Sequence, residues 1–217
     1  MASYFRTQLE VWLSNLDVNA DKVLDIGGGA LPVKDRVRVW NVKEYKILDN
    51  ELEEMKQKPD LIFDLNTSEK VIKEWDNLTG RYVDDCFYQM DCNMVFCLEV
   101  FEYIWNPYQA LINVNRLMKC GGILYISFPF VYPHHNPAGK DYLRYTRWGV
   151  EKLLKETGFE IEEIIPRTQK IEIDYEQDPP QPKQEDIRAW YSSQKMHHVK
   201  SGIDHREIGY IVKARKK

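Results

Sequence analysis

The stretch "DKVLDIGGGALPVKD" (21–35) constrains this chain more than any other. An apolar run ends in an acid, Asp25, and meets three glycines, Gly27, Gly28 and Gly29. Glycine tolerates positive φ and has no Cβ, so the main chain there can turn sharply and another group can approach it closely. A strand, a glycine-rich turn and a helix in that order form the first crossover of nucleoside- and dinucleotide-binding sheets. A tight turn that binds nothing would serve with fewer glycines. The spacing therefore predicts a strand over 22–26, a ligand-approached turn at 27–29 and a helix after it.

The rest of the chain alternates. Strand-type runs occur at 22–26, 44–49, 60–65, 93–98, 122–128, 159–165 and 208–214, seven in all. Helical segments lie between several of them. In "NPYQALINVNRLMKCGG" Asn106 is placed as N-cap, Pro107 at the first helical position and Gln109 to complete a capping box. Ala110, Leu111, Val114, Leu117 and Met118 make its apolar stripe, and Gly121 is expected to stop it. "TRWGVEKLLKETG" predicts a second helix from Thr146 to Gly158. Phe5, Leu9, Trp12, Leu13 and Leu16 recur at helical spacing and predict an N-terminal amphipathic helix over 1–20. Strands alternating with helices specify an α/β fold with a mostly parallel sheet. The Pro-, Gln- and acid-rich segment 171–205 interrupts the pattern before the last strand. We expect an inserted lid or mobile segment there, within a single domain spanning 1–217.

Bulk properties narrow the function classes. A length of 217 residues suits one domain. The formal net charge of -4 provides no positive field for nucleic acid, and the basic "KARKK" end is expected to be a solvated tail. The four cysteines, at 86, 92, 97 and 120, show no C-x-x-C pair or zinc spacing, and Cys97 and Cys120 are expected to be reduced and at least partly buried. With no signal-peptide pattern and no apolar run of membrane-spanning length, the expectation is a cytoplasmic protein that engages neither nucleic acid nor membrane. His197, His198 and His205 do not form a metal-ligand pattern, and no metal is expected.

Three acids mark strand ends. Asp25, just before the turn, would sit badly beside a pyrophosphate and suits a ligand carrying an amino group or other positive charge. The third glycine of the dinucleotide fingerprint would fall at Pro32, which weakens a nicotinamide-dinucleotide reading. Asp49, twenty residues after Gly29, is placed to accept hydrogen bonds from two ribose hydroxyls, or else to cap a helix. Asp64 could receive an exocyclic amine such as that of adenine.

Taken in order, "VLDIGGGALP", "YKILDNE", "PDLIFDLN", the run from "DCNMVFCLEVFEYIWNP" to "GGILYISFPF", and "DYLRYTRWGVEKLLKETGF" resemble class I S-adenosylmethionine-dependent methyltransferases, in particular the type 11-like small-molecule branch. The resemblance covers about 22–165. It implies a Rossmann-like, seven-stranded, mostly parallel sheet with helices on both faces and the last strand antiparallel. It also implies S-adenosyl-L-methionine as cofactor. Asp25, Gly27, Gly28 and Gly29 match the motif that cradles the methionine part. Asp49, with Asn50, matches the ribose-holding position, Asp64 and Leu65 the adenine position, and Glu99 the fourth-strand position lining the methyl-transfer cleft. Two departures stand out: Tyr103 where the family usually has His, and Cys120 where Pro is usual.

The implied activity is methyl transfer to a small-molecule or sugar acceptor. "FPFVYPHHNPAGKDYLRYT" follows the fifth strand at the edge where open α/β sheets bind ligands. His135 is the leading candidate for a catalytic base, with Tyr132, His134 and Arg144 as substrate contacts. Arg144 could bind a carboxylate or phosphate, or simply pair with Asp141. Two other classes remain open: an NAD-dependent oxidoreductase, and a non-catalytic partner subunit with a cofactor fold.

Overall fold

The computed structural model describes residues 4–50, 58–69, 71–86, 90–131, 139–172 and 203–217. The chain divides into two compact units, Met1–Arg167 with Glu207–Lys217, and Thr168–Arg206. The second contains the whole of the 171–205 segment, whose residues 173–202 lie outside the described ones. Everything described below, apart from the outer ends of two strands, belongs to the first.

The elements are α1 (Tyr4–Leu13), β1 (Asp17–Ile26), β2 (Val39–Asp49), β3 (Leu61–Ile62), β4 (Val71–Asp76), β5 (Arg81–Cys86), β6 (Cys92–Cys97), α2 (Pro107–Leu117), β7 (Met118–Pro129), α3 (Arg147–Glu156), β8 (Phe159–Glu172) and β9 (Ile203–Lys216). They form one sheet in the order β5-β4-β3-β2-β1-β6-β7-β9-β8. The β2–β3, β1–β2, β1–β6 and β6–β7 pairs are parallel, and β9 runs antiparallel to β7. The fold is thus α/β and Rossmann-like with an antiparallel final strand. The expected count of seven is corrected to nine among the described residues. The extra pair is the antiparallel hairpin β4–β5, appended to β3. Only Ile72 of β4 is fully buried, so no apolar alternation announces the hairpin. Its turn is built by Asp76, which accepts from the Leu78 N–H and the Thr79 hydroxyl, followed by Gly80 at φ 65°.

The sheet has an apolar layer on each face. On β7, Leu124, Ile126 and Phe128 face the layer shared with α2 and α3, while Ile123 and Tyr125 face the layer that includes Leu9 and Leu13 of α1. This period of two is the ordinary alternation of a strand covered on both sides.

Local signals decide some helix ends and tertiary contacts decide others. Asn106 caps α2, its side chain accepting from the Gln109 N–H. The return half of the capping box is absent. Gln109 instead donates to Asn113, and the Asn106 N–H goes to Asn66 Oδ1 at 3.0 Å. Gly121 is not the stop, because α2 ends at Leu117 and passes directly into β7. The Lys216 ammonium takes up the Asn115 and Met118 carbonyls at that end, while Gly121, at φ 75°, lies where β7 shifts register against β6. Thr146 and Gly158 bound α3 as the sequence predicts.

Two helices expected from the sequence are shortened or missing. The N-terminal helix ends at Leu13 rather than residue 20, and β1 already starts at Asp17. The Leu16 carbonyl accepts from the Arg38 and Val39 N–H groups, and Arg38 holds both carboxylate oxygens of Asp17. These contacts draw 17–20 into the sheet, pairing Asp17–Ala20 with Val39–Val42. The same extension removes the helix expected after the glycines. Only one 3-10 turn, Val33–Asp35, separates the glycine turn from the approach to β2.

Candidate functional site at the carboxyl edge of the sheet

β1 has β2 on one side and β6 on the other, and the strand order reverses there. In open α/β sheets this switch point opens a crevice at the carboxyl ends of the strands. Gly27 follows β1, Asn50 follows β2, and Glu99 lies just after β6.

Gly27 has φ 77°, a conformation L side chains rarely adopt, and its N–H donates to the Leu48 carbonyl at 2.8 Å. A Cβ at Gly27 would collide with the Val100 side chain, so the turn and the segment after β6 touch. A Cβ at Gly28 would fall 2.5 Å from Asp25 Cγ. Asp25 itself is buried, with 2% of its surface exposed. Its Oδ2 accepts from the Tyr45 hydroxyl at 2.6 Å and from the Val33 N–H at 2.7 Å. Burial pushes the Asp25 carboxyl up to about 6, against the pull of these two donors. Tyr45 is pushed up as well, first by burial and then by the Asp25 charge. The carboxylate thus ties the two ends of the glycine turn to β2.

Asp49 closes β2. Its Oδ1 accepts from the Asn50 N–H at 2.8 Å, its carbonyl accepts from the Phe63 N–H, and Asn50 is exposed. Asp64 Oδ1 accepts from both nitrogens of Asn66, each at 2.9 Å. Asn66 in turn receives the Trp105 and Asn106 N–H groups, so Asp64 and Asn66 fix the entry to α2. Leu65 is buried in the core.

The opposite wall is charged. Glu99 has φ 56°, unusual for a residue other than glycine. Its N–H donates to Ser127 Oγ at 2.8 Å, and its Oε1 accepts from the Ser127 hydroxyl at 3.0 Å and from Arg167 Nη1 at 2.5 Å. Three residues on, Glu102 is buried in a second 3-10 turn, Phe101–Tyr103. Burial first, and the Glu99 charge second, push its carboxyl up to about 7. Behind them Phe101, Phe128 and Tyr145 pack edge to face, and the Tyr145 hydroxyl donates to the Phe101 carbonyl. The Tyr142 N–H donates to the Glu102 carbonyl, fastening the 139–146 segment to this wall.

The structure therefore brings Asp25, Gly27, Gly28, Gly29, Asp49, Asn50 and Glu99 to one edge. It places Asp64 beside the entry to α2 and Leu65 beneath it. Tyr132, His134 and His135 lie outside the described residues. Arg144 gives Nη1 and Nη2 to the two oxygens of Asp141, at 2.5 and 2.6 Å. Tyr45, Glu102, Ser127 and Arg167 were not singled out in the sequence. Glu102 had a readable signal, as the second acid of "LEVFEYI". Arg167 had none, since its partner lies 68 positions away. Cys97 lies buried beneath the edge, whereas Cys120, expected to be at least partly buried, is exposed at the start of β7. Among the described residues no group of His, Cys, Asp and Glu could hold a metal ion, and no helix is long and apolar enough to cross a membrane. Two hollows of about 380 and 480 Å³ lie elsewhere, one at the amino ends of the strands around Asn19, Asn41 and Asn93, the other beside α3 and β8. Acids line both, Asp21 in the first and four glutamates in the second, but they stand beside Lys43 and beside Arg147, Lys155 and Lys217, and no glycine turn lines either.

No family model and no curated relative matches this sequence. Solved structures do. A chain of the complex between the Haloferax volcanii Trm112 methyltransferase activator and its methyltransferase candidate superposes with a TM-score of 0.55 at 13% identity, covering 98% of this chain and 89% of the other. A protein assigned as a methyltransferase from Bacillus halodurans gives 0.55 at 16% identity, covering 99% of both chains. An S-adenosylmethionine-dependent methyltransferase from Mesorhizobium loti gives 0.52 at 13%, again covering 99% of both. The chain has the class I fold of S-adenosylmethionine-dependent methyltransferases.

Proposed function

We propose that this protein is an S-adenosylmethionine-dependent methyltransferase acting on a small-molecule or sugar acceptor. The observation that carries the reading is the meeting, at the switch point of this fold, of a glycine turn with acids on both flanks. Gly27, at φ 77° and only partly buried, presents main chain without a Cβ beside Val100, Asp49 stands at the end of β2, and Glu99 lies just after β6.

The residues fit that cofactor. Gly27–Gly29 would take its methionine part, Asp49 with Asn50 its ribose hydroxyls, and the region of Asp64 its adenine. Acids around the crevice suit a ligand with an ammonium and a sulfonium. They do not suit a pyrophosphate, which favours a helix N-terminus; here the turn is followed only by the 3-10 turn Val33–Asp35. That observation sets the cofactor reading above a nicotinamide-dependent oxidoreductase.

When bound, the cofactor supplies a methyl group on a sulfonium, transferred by in-line displacement. The protein's task is alignment and exclusion of water, and good alignment contributes about 7–11 kcal/mol. The fixed wall of Phe101, Phe128 and Tyr145 provides rigidity on one side, and the tied glycine turn provides it on the other. An acceptor that keeps its proton at neutral pH also needs a base. His135 is the proposed base, with Tyr132, His134 and Arg144 as acceptor contacts; for Arg144 this means sharing its guanidinium with Asp141.

Calorimetric titration with S-adenosylmethionine, S-adenosylhomocysteine and NAD tests the reading. Binding of the first two is expected, and Asp49→Ala should weaken both by more than about tenfold by losing charge-assisted hydrogen bonds to a diol. Binding of NAD alone would transfer the protein to the oxidoreductases. Binding of none would leave a non-catalytic subunit.

A further inference from the structure

Glu99 and Glu102 form an acid pair that neither the fold nor the glycine turn requires. Glu102 is 4% exposed, and its Oε2 has no hydrogen-bond donor within reach among the described residues. A buried carboxylate with an orphan oxygen beside a second carboxylate is held more cheaply with a proton than without one. The charged and titratable groups facing it come from every neighbouring element. Glu99 raises its proton affinity, while Arg167 of β8 and Arg144, itself paired with Asp141, lower it. Tyr145 and Cys97, both pushed up by burial with the Glu102 charge contributing, complete the surroundings.

Glu99 is the more accessible member, half-buried with 22% of its side chain accessible. It sits in a left-handed conformation, and such strain persists only where surrounding structure enforces it. Its neighbour Val100 is the residue a Cβ on Gly27 would strike, so a group lying on the glycine turn lies one residue from Glu99.

We propose that Glu99 and Glu102 act as a proton-linked cation site: a positive group settling beside Glu99 drives the proton off Glu102, so a sulfonium ligand binds with proton release and its neutral thioether counterpart without it. This rests on the cofactor reading above. The balance is simple. Glu102 passes from carboxylic acid to carboxylate, and its proton goes to solvent. Loss of the sulfonium charge on methyl transfer lets the pair regain a proton from solvent. The two carboxylates thereby distinguish loaded cofactor from spent cofactor, which differ in one methyl group and one charge.

The test is calorimetry of the full chain with S-adenosylmethionine and with S-adenosylhomocysteine, in buffers of differing ionisation enthalpy, from about pH 6 to about pH 8.5. S-Adenosylmethionine is expected to release about half a proton near neutrality, and its affinity should tighten by up to about tenfold per pH unit on the acid side. S-Adenosylhomocysteine should show neither effect. Asp25 is the other raised carboxyl at this edge, so Glu102→Gln assigns the proton: release specific to the sulfonium should vanish while both ligands still bind. Persistence of that release in Glu102→Gln overturns the proposal. Should the variant fail to fold, Asp25→Asn assigns the proton instead: release specific to the sulfonium should persist in it, and its loss there overturns the proposal. Equal proton counts for the two ligands at every pH overturn the acid-pair proposal and leave the cofactor reading standing. Failure of both ligands to bind overturns both.

Discussion

Between β1 and β2 the chain crosses the sheet in residues 27–38 with no α-helix, whereas between β6 and β7 it uses residues 98–117 and lays down α2. The two crossovers flank the same crevice but are held by different means. In the second, stability is local: Asn106 caps the helix, Pro107 starts it, and Ala110, Leu111, Val114 and Leu117 bury one stripe. In the first, stability comes from across the sheet. The Asp25 carboxylate reaches forward to the Val33 N–H and sideways to Tyr45, doing for the turn what a helix would otherwise do. The difference teaches that a ligand-approached turn in this fold can be kept in shape by one buried acid. The acid is then a structural tie as well as a charge at the site.

Four measurements would break or sharpen that contrast. The largest effect is expected from Gly27→Val, which forces a β-branched residue to φ 77° and into Val100. A loss of about 4 kcal/mol in urea unfolding follows from strain plus overpacking; a near-neutral variant would mean the turn is free to move. The next is a pH effect. Asp25 has a folded pKa of about 6 against a usual 3.8, so the native state holds this proton more tightly than the unfolded chain. Its contribution is fully present below about pH 3.8 and is lost as pH rises through about 6, on the order of 3 kcal/mol in all. Carboxylates that cationic partners hold low, such as Asp17 beside Arg38 and Glu162 beside Lys213, act with opposite sign at lower pH. The effect is therefore read as the stability difference between wild type and Asp25→Asn, which should change between about pH 4 and pH 6 and be flat above about pH 7.

Tyr45→Phe removes one of the two donors recorded on a buried carboxylate and should cost about 2 kcal/mol at neutral pH. Its cost should shrink in acid, where the carboxyl is protonated. A pH-independent cost would show that Tyr45 acts by packing alone. The smallest effect is on the other crossover. Asn106→Ala removes an N-cap and should cost about 1 kcal/mol, with little dependence on pH. A much larger loss would mean that the α2 entry, where Asn66 also binds, is as tertiary as the glycine turn.

Much of the fold was legible wherever a signal is local. The parallel strands of β1, β2, β6 and β7 announce themselves as short apolar runs, and Thr146 and Gly158 bound α3 by their own side-chain and backbone chemistry. The β4–β5 hairpin was not legible, because a pair of strands with little buried surface carries little hydrophobic pattern. The early start of β1 was not legible either. Its cause is a contact between residues 16–17 and 38–39, whose separation along the chain hides it. At the site, Asp25, the glycines, Asp49 and Glu99 were visible as acids and glycines at strand ends. The wall they meet was less so: Arg167 and Ser127 reach Glu99 from distant strands.

By itself, the sequence determined that this chain builds an α/β sheet with a glycine turn and acids at its carboxyl edge, since strand periodicity, caps and positive φ are properties of residues and their near neighbours. Only the tertiary structure decided what those acids touch. Proton affinity depends on burial and on charges brought together by folding, which is why Asp25 became a tie for the turn and Glu102 a buried acid poised near neutrality.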